Sequence, residues 1–167
     1  MHSMKILAFD PSLSNWGYSI ATYTNNQLDI LDYGIVQTKP SKTKDRQNIK
    51  DYLRCQHLYS HLLPLVKDID RIVVELPTGS QSSRAMVSYA TCIAITACLS
   101  HANPNVHIVT PNQVKRIVGS STASKDDVID WVKHKHPNLN LPSKTKAEHI
   151  CDSIVAIYAY LTQEDLL

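Results

Sequence analysis

Short apolar runs broken by polar residues dominate the first third of the chain and predict a meander of three strands. The runs cover Ile6 to Phe9, Tyr18 to Thr24 and Leu28 to Val36. The second and third runs are joined by Asn25-Asn26, and asparagine tolerates the positive φ of a tight turn. We therefore expect these three strands to be antiparallel neighbours, with Asp10 directly after the first.

Helical spacing and short β-branched runs alternate over the rest of the chain. A helical pattern covers Arg46 to Val66, and Pro64 should end or kink it. The predicted later elements are strands at Arg71 to Glu75 and Val106 to Val109, and helices from Ser83 as cap to about Leu99, from Thr110-Pro111 to Val118, from Lys125 (capped by Ser124) to about Lys135, and from about Thr145 to Leu161. This order predicts an α/β fold with a five-stranded mixed sheet, three antiparallel strands followed by two parallel ones, and helices on both faces.

Two of the predicted strands end on a carboxylate. Asp10 follows the first strand and Glu75 ends the fourth. Adjacent parallel strands would bring both acids to the carboxyl edge of the sheet, where open α/β sheets keep their sites. The alternative for Asp10 is a turn aspartate that caps Ser12 or Leu13.

The last predicted helix carries a third group of polar side chains. Glu148 and His149 lie four and three residues before Asp152, so either can share a face with it. Asp152 lies opposite the apolar residues predicted to pack inward, which are Ile150, Ile154, Ile157 and Leu161. This group is either a third source of metal ligands or the exposed polar face of a surface helix.

Composition limits the class of protein. The 167 residues, 43% of them hydrophobic, are a typical length for one domain, and we expect 1–167 to form one. No uninterrupted apolar run approaches the ~20 residues of a membrane span, so we expect a cytoplasmic protein with no membrane partner. The four cysteines form no C-x-x-C pair and are expected to be reduced.

Net charge is only +2, yet the basic residues are clustered. The clusters lie at Lys39 to Arg46, Lys115-Arg116, Lys133 to His136 and Lys144 to Lys146. Each is either a set of contacts to a nucleic-acid backbone or a solvated run of charge.

Four stretches, in order and at family spacing, resemble the motifs of the RuvC-type Holliday-junction resolvases, which have the RNase H-like fold of retroviral integrases. The stretches are Phe9-Asp10-Pro11-Ser12 with Gly17-Tyr18; Val74-Glu75 with Gly79-Ser80-Gln81-Ser82; Pro111-Asn112-Gln113-Val114-Lys115 with Val118-Gly119 and Ala123-Ser124-Lys125; and Glu148-His149-Ile150-Cys151-Asp152-Ser153. An aspartate and a glycine after a strand also open the phosphate motif of actin-like ATPases. The chain is short for the two domains of those proteins.

The resemblance implies roles for six residues. Asp10, Glu75, His149 and Asp152 would bind metal, with His149 at a position that holds histidine in some members and aspartate in others. Lys115 and Lys125 match lysines that support cleavage, although each could instead be a solvated charge at a helix end. Oxygen ligands with one imidazole suit Mg²⁺ or Mn²⁺, and two Mg²⁺ ions, for which Mn²⁺ could substitute, would serve phosphodiester hydrolysis.

The chain departs from the family in two places. Leu76-Pro77-Thr78 lacks the phenylalanine with which some bacterial members enter the junction centre. The loop from Gly119 to Lys125 is slightly shorter than in bacterial members, which suits a phage-type branch.

The favoured hypothesis is a Holliday junction resolvase that nicks four-way DNA. The alternatives are a nuclease for flaps or other branched DNA, an RNase H-like enzyme, and a catalytically silent DNA-binding scaffold. The complete set of Asp10, Glu75, His149 and Asp152 argues against the scaffold, since a lapsed site usually loses ligands.

The helix that starts near Ser83 predicts a homodimer. From Ala85 to Leu99 it has no charged residue, so it is apolar almost all the way round and needs cover on both sides. The stripe expected to pack inward is Met86, Tyr89, Ala90, Ile93, Ala97 and Cys98. The outer side would then meet a second subunit, as the family resemblance also implies.

Overall fold

The computed structural model describes residues 3–167 and builds them around a five-stranded mixed sheet; Met1 and His2 lie outside the described residues. The strands are β1 (Met4–Asp10), β2 (Asn15–Thr24), β3 (Gln27–Gln37), β4 (Arg71–Glu75) and β5 (Val106–Val109). Their order in the sheet is β3-β2-β1-β4-β5. β2 is antiparallel to β1 and β3, whereas β4 is parallel to β1 and β5, as predicted.

Within residues 3–167, five α-helices connect and cover the strands. They are α1 (Gln47–Leu62), α2 (Ser83–Ala102), α3 (Pro111–Val118), α4 (Lys125–Lys135) and α5 (Lys144–Gln163). The predicted effect of Pro64 is confirmed, because α1 gives way to a 3₁₀ turn over Leu63–Val66. The predicted caps Thr110 and Ser124 each form a capping box, which satisfies backbone N–H groups at the starts of α3 and α4.

The β2–β3 hairpin turns where the asparagine pair predicted it. Asn25 and Asn26 have φ values of 53° and 62°. Both lie in the left-handed region, which asparagine enters at lower cost than most residues. This local chemistry sets the register in which β2 and β3 pair next to the turn, and the pairing shifts at an irregularity between Ile20 and Ala21.

The sheet separates two hydrophobic clusters. On one face, Leu7, Phe9 and Val74 pack with side chains from α1 and α2. On the other, Ile6, Ala8 and Val73 pack with α3, α4 and α5. Alternating side chains of β1 and β4 therefore point to opposite cores, as the pleat of a doubly covered strand requires.

Helix α5 is the most deeply buried helix and contacts every strand. Its predicted inward residues Ile150, Ile154, Ile157 and Leu161 are buried, and so are Ala156 and Ala159 on another side. The interpretation of α5 as a surface helix with an exposed polar face is therefore wrong. A polar group on this helix must be satisfied by a partner or a ligand.

Helix α2 differs from its prediction in both its ends and its face. Ser82, rather than Ser83, is the N-cap, with its Oγ accepting the N–H of Ala85, and the helix continues past Leu99 to Ala102. The buried side chains are Cys92, Ile95, Thr96 and Leu99, and the predicted stripe of Met86, Tyr89, Ala90, Ile93, Ala97 and Cys98 is wrong. Because the helix is apolar nearly all round, its periodicity does not mark the inner face.

By length and apolar composition, α2 is the one helix in residues 3–167 that could cross a membrane, although its apolar residues do not form one uninterrupted run. A single helix of this kind is weak evidence, because core helices of soluble proteins meet the same criterion.

Gly17 allows α5 to approach the sheet closely. Gly17 pairs with Asp10 across the β1–β2 ladder. A Cβ atom added to Gly17 would lie 2.3 Å from the backbone oxygen of His149, far inside van der Waals contact. The missing side chain therefore sets the distance between α5 and the strand end that carries Asp10.

We predict that Gly17→Ala destabilises the protein by about 1–3 kcal/mol through overpacking and displaces His149. The free energy of unfolding in urea measures the first effect. Gly34→Ala is the control, because its Cβ would meet the far end of the Tyr18 ring, at 2.9 Å from the Oη, rather than backbone. Equal costs for the two variants would contradict a special constraint at Gly17.

Candidate active site

The parallel pairing of β1 and β4 brings two carboxylates together at one edge of the sheet. Phe9 pairs with Val74, so the next residues, Asp10 and Glu75, end their strands side by side. Helix α5 runs past this edge and adds His149 and Asp152. These four side chains and that of Lys125 line one cavity of about 350 Å³, whose wall includes Pro11, Ser12 and Leu13.

Asp10 and His149 are in direct contact. The Nδ1 atom of His149 lies 2.6 Å from Oδ2 of Asp10, where an ionised carboxylate accepts the N–H. Burial lowers the pKa of His149, but the hydrogen bond and the charge of Asp10 outweigh burial and raise the pKa overall. The imidazole is thereby held over the end of β1 and away from bulk solvent.

The three carboxylates are costly to ionise where they stand. Burial, followed by the charges of Asp10 and Asp152, raises the pKa of Glu75 to about 9. Burial and the charge of Asp10 raise the pKa of Asp152 to about 7. Burial also raises the pKa of Asp10, against the opposing effect of His149. Buried like charges at one edge produce a site with a strong demand for positive charge.

The donor set fits a hard divalent cation. The Oε2 atom of Glu75 is fully buried and has no hydrogen-bond partner in residues 3–167, as expected of a ligand atom rather than a structural carboxylate. Three carboxylates and one imidazole suit Mg²⁺ or Mn²⁺. Within residues 3–167, no three such side chains are already close enough to hold an ion, so binding would require small side-chain movements.

The two candidate lysines are placed differently. Lys125, the first residue of α4, lines the cavity, and its Nζ lies 2.7 Å from Oε2 of Glu148. Lys115 on α3 does not line the cavity, although its charge acts to lower the pKa of Glu75. The sequence left open whether Glu148 or His149 shares a face with Asp152, and the structure brings His149 into the cavity and pairs Glu148 with Lys125.

A buried arginine beside the site was not anticipated. Arg54 on α1 is only 7% exposed. Its Nη2 donates to Oγ of Ser14 at 2.7 Å and its Nε to Oγ1 of Thr38 at 2.8 Å. The sequence did hold a signal, since Arg54 lies one and two helical turns before the buried Leu58 and Leu62. Arg54 thus supports the loop at Ser14, which directly follows the cavity-lining residues Ser12 and Leu13.

Comparison with known proteins identifies the family of this chain. The family model described as "Crossover junction endodeoxyribonuclease RuvC" matches residues 6–159. The chain belongs to the RuvC family. The resemblance to this family that the sequence motifs indicated is therefore confirmed.

Curated RuvC proteins are similar over nearly their whole length. The crossover junction endodeoxyribonuclease RuvC of Prochlorococcus marinus (strain MIT 9312) is 26% identical over 162 residues, covering 96% of this chain and 98% of the relative. The protein of the same name from Prochlorococcus marinus (strain MIT 9303) is 29% identical over 155 residues, covering 90% and 94%.

A solved RuvC structure has the same fold. The T. thermophilus RuvC in complex with Holliday junction substrate superposes with a TM-score of 0.76 and 14% identity, over 96% of each chain. The predicted RNase H-like fold is confirmed by this RuvC neighbour.

We predict that, without metal, the protein loses stability as pH rises from about 5 to 9. The unfolded chain releases the Glu75 proton near its ordinary pKa of 4.5, whereas the folded chain holds it to about 9. The folded state therefore binds more protons across this window, and its stability falls with pH. Thermal unfolding in chelator at several pH values measures the effect.

Glu75→Gln is the matched variant for this measurement, because it removes the titration while keeping the shape. Its midpoint should exceed that of the unmodified protein by a margin that widens with pH. Added Mg²⁺ at pH 8 should raise the midpoint of the unmodified protein more than that of the variant. Parallel curves would show that Glu75 is not held in the environment described.

Proposed function

We propose that this protein is a Holliday junction resolvase, a nuclease that nicks four-way DNA by hydrolysing phosphodiester bonds. The observation that carries the proposal is the convergence of Asp10, Glu75, His149 and Asp152 on one cavity in a chain of the RuvC family. This reaction does not need a membrane. We therefore propose that the protein acts in the cytoplasm, which is that of the host cell if the chain is phage-encoded.

The family implies a divalent-metal-dependent nuclease, and we propose Mg²⁺, bound as two ions, with Mn²⁺ able to substitute. Asp10, Glu75, His149 and Asp152 would hold the ions. When bound, such ions activate water and stabilise the leaving 3′ oxygen of an in-line displacement.

The remaining residues have supporting roles in the proposal. Lys125 stands at the cavity and can exchange its contact with Glu148 for a DNA phosphate, since both are oxyanions. Lys115 contributes positive charge near Glu75 from outside the lining. The partial burial of the acids lowers the local dielectric and strengthens these electrostatic interactions.

The proposal predicts that Asp10→Asn, Glu75→Gln and Asp152→Asn each lower the cleavage rate by at least about 10³-fold, since metal stabilisation of the transition state is worth several kcal/mol. Junction binding should be unchanged or tighter, because affinity comes mainly from phosphate contacts and the acids repel DNA. Labelled four-way, flap, Y-shaped and linear DNA, each with and without Mg²⁺, measure cleavage and rank the substrates.

Asp126→Asn is a suitable control, because it removes an exposed acid of α4 that pairs with Lys144 outside the cavity. It should cleave normally. Preference for flaps over four-way DNA would replace the junction proposal with a branched-DNA nuclease. Loss of binding together with cleavage in folded acid variants would assign these residues a structural role.

We also propose a homodimer in which α2 contributes to the interface. Met86, Val87 and Ile93 are 43%, 49% and 44% exposed on this helix. A groove of about 580 Å³ between α1 and α2 is lined mainly by apolar and thiol side chains, including Tyr59, Ala94 and Cys98, together with Gln56 and Thr91. A second copy is the occupant that suits paired nicks, because a two-fold dimer matches the approximate two-fold symmetry of a four-way junction.

For the dimer, we expect light scattering at micromolar concentration to give twice the mass of one chain. The Ile93→Lys variant should give the mass of a single chain. Leu31→Lys on β3 is the control, since Leu31 is 57% exposed on another part of the surface. Ile95 is buried and would report on folding instead. An unmodified protein that is monomeric while making paired nicks would refute the proposal.

A further inference from the structure

A small basic pocket lies at the junction of β3 and α1, outside the acidic cavity. It has a volume of about 220 Å³. Its polar lining comes mainly from Thr38, Lys39, Ser41, Lys50, Arg54 and His57, and no carboxylate lines it. Three permanent positive charges therefore face one cavity the size of a small anion with its hydration.

The positive charge of this pocket is only partly neutralised by the protein. The side chains of Lys39 and Lys50 form no ion pair or hydrogen bond in residues 3–167, whereas Lys125 and Lys144 each pair with an acid. Asp51 lies beside the pocket, and its carboxylate is 3.6 Å from Nη1 of Arg54.

Asp51 is already engaged elsewhere. Its two oxygens accept bidentate hydrogen bonds from Arg84 at 2.6 and 2.8 Å. One carboxylate thus serves two guanidinium groups, which leaves a net positive charge even before the lysines are counted. A bound anion would balance it.

The walls of this pocket are fixed. Arg54 is held by Thr38 and Ser14, and the backbone N–H of Thr38 donates to the oxygen of Ser14 at 2.9 Å. The Oγ1 of Thr38 also donates to the oxygen of Leu13. The arginine therefore forms a buried floor, with Lys39 just after the end of β3 and Lys50 on α1.

The same contacts connect the pocket to the acidic cavity. Leu13 lines the acidic cavity and is the residue whose carbonyl Thr38 holds. The Leu13-Ser14 segment thus connects the two cavities, since Leu13 lines one and Ser14 holds the arginine of the other. A DNA strand with one phosphate at the acids would cross this segment to reach the lysines.

We propose that the pocket formed by Lys39, Lys50 and Arg54 binds a backbone phosphate of the DNA and so positions the strand at the acidic cavity. This inference rests on the proposed function and adds a contact to it. The ligand is a phosphodiester, whose two non-bridging oxygens accept from the ammonium groups and from hydroxyls such as that of Ser41. The contact carries no sequence information, because it reads only the backbone.

The test compares two double variants that remove the same charge from neighbouring positions. Lys39→Ala/Lys50→Ala empties the pocket of its lysines. Lys42→Ala/Lys44→Ala removes two exposed lysines of the adjoining loop that do not line it. Binding of a fluorescent four-way junction is measured in chelator over a series of NaCl concentrations, and cleavage is measured with Mg²⁺.

The pocket variant should reduce the slope of log K against log salt by about 0.9, the value for one lost phosphate contact. It should raise KM several-fold and leave kcat at saturating DNA unchanged. The loop variant should retain the slope and KM of the unmodified protein. If the unmodified protein binds and cleaves DNA, two results would overturn the inference. One is an equal effect of both double variants, and the other is an unchanged salt slope in the pocket variant.

A different result would test the proposed function itself. If the unmodified protein fails to bind or cut any DNA, the resolvase proposal fails and this contact fails with it. Circular dichroism of both double variants checks that the fold is kept. Arg54 is left intact throughout, because its buried hydrogen bonds support the Leu13-Ser14 segment.

Discussion

The close approach of α5 to β2 is the constraint on which the rest of the site depends. Gly17 has no side chain, so the backbone of His149 rests where a Cβ atom would stand. Because Gly17 also pairs with Asp10, one glycine fixes the separation of a strand end and a helix turn that both carry chemistry. The parallel pairing of β1 with β4 then adds Glu75, and the packing of α5 against the sheet places Asp152 at the same cavity.

Neighbouring positions of the sheet therefore have opposite effects on stability. Burial of the strands stabilises the fold, and the acids at the strand ends destabilise it. The strands that end at Asp10 and Glu75 are among the most buried in the protein, and their packing holds the acids at the edge. The acids weaken the fold, because burial and mutual repulsion oppose their ionisation. Positive charge comes from His149 beside Asp10, from Lys125 at the rim and, at longer range, from Lys115.

The parts of the structure that local chemistry determines were predictable from the sequence. Asn25-Asn26 gave the hairpin, Pro64 ended α1, and the strand runs ending at Asp10 and Glu75 gave the paired acids. Features that depend on long-range packing were not predictable. The inner face of α2 was misassigned because nearly every side of it is apolar, and the supports formed by Arg54 with Ser14 and by Glu148 with Lys125 join residues 40 and 23 positions apart.

The unfavourable ionisation of these buried acids also bears on how such a chain evolves. An amide in place of Glu75 or Asp152 keeps the shape and removes an unfavourable charge, so drift would reach such replacements without any penalty in folding. A lineage that no longer used its site would lose these carboxylates early, because stability favours their loss. Three carboxylates kept at one sheet edge, where burial and mutual repulsion oppose their ionisation, are therefore what selection for chemistry rather than for structure would produce.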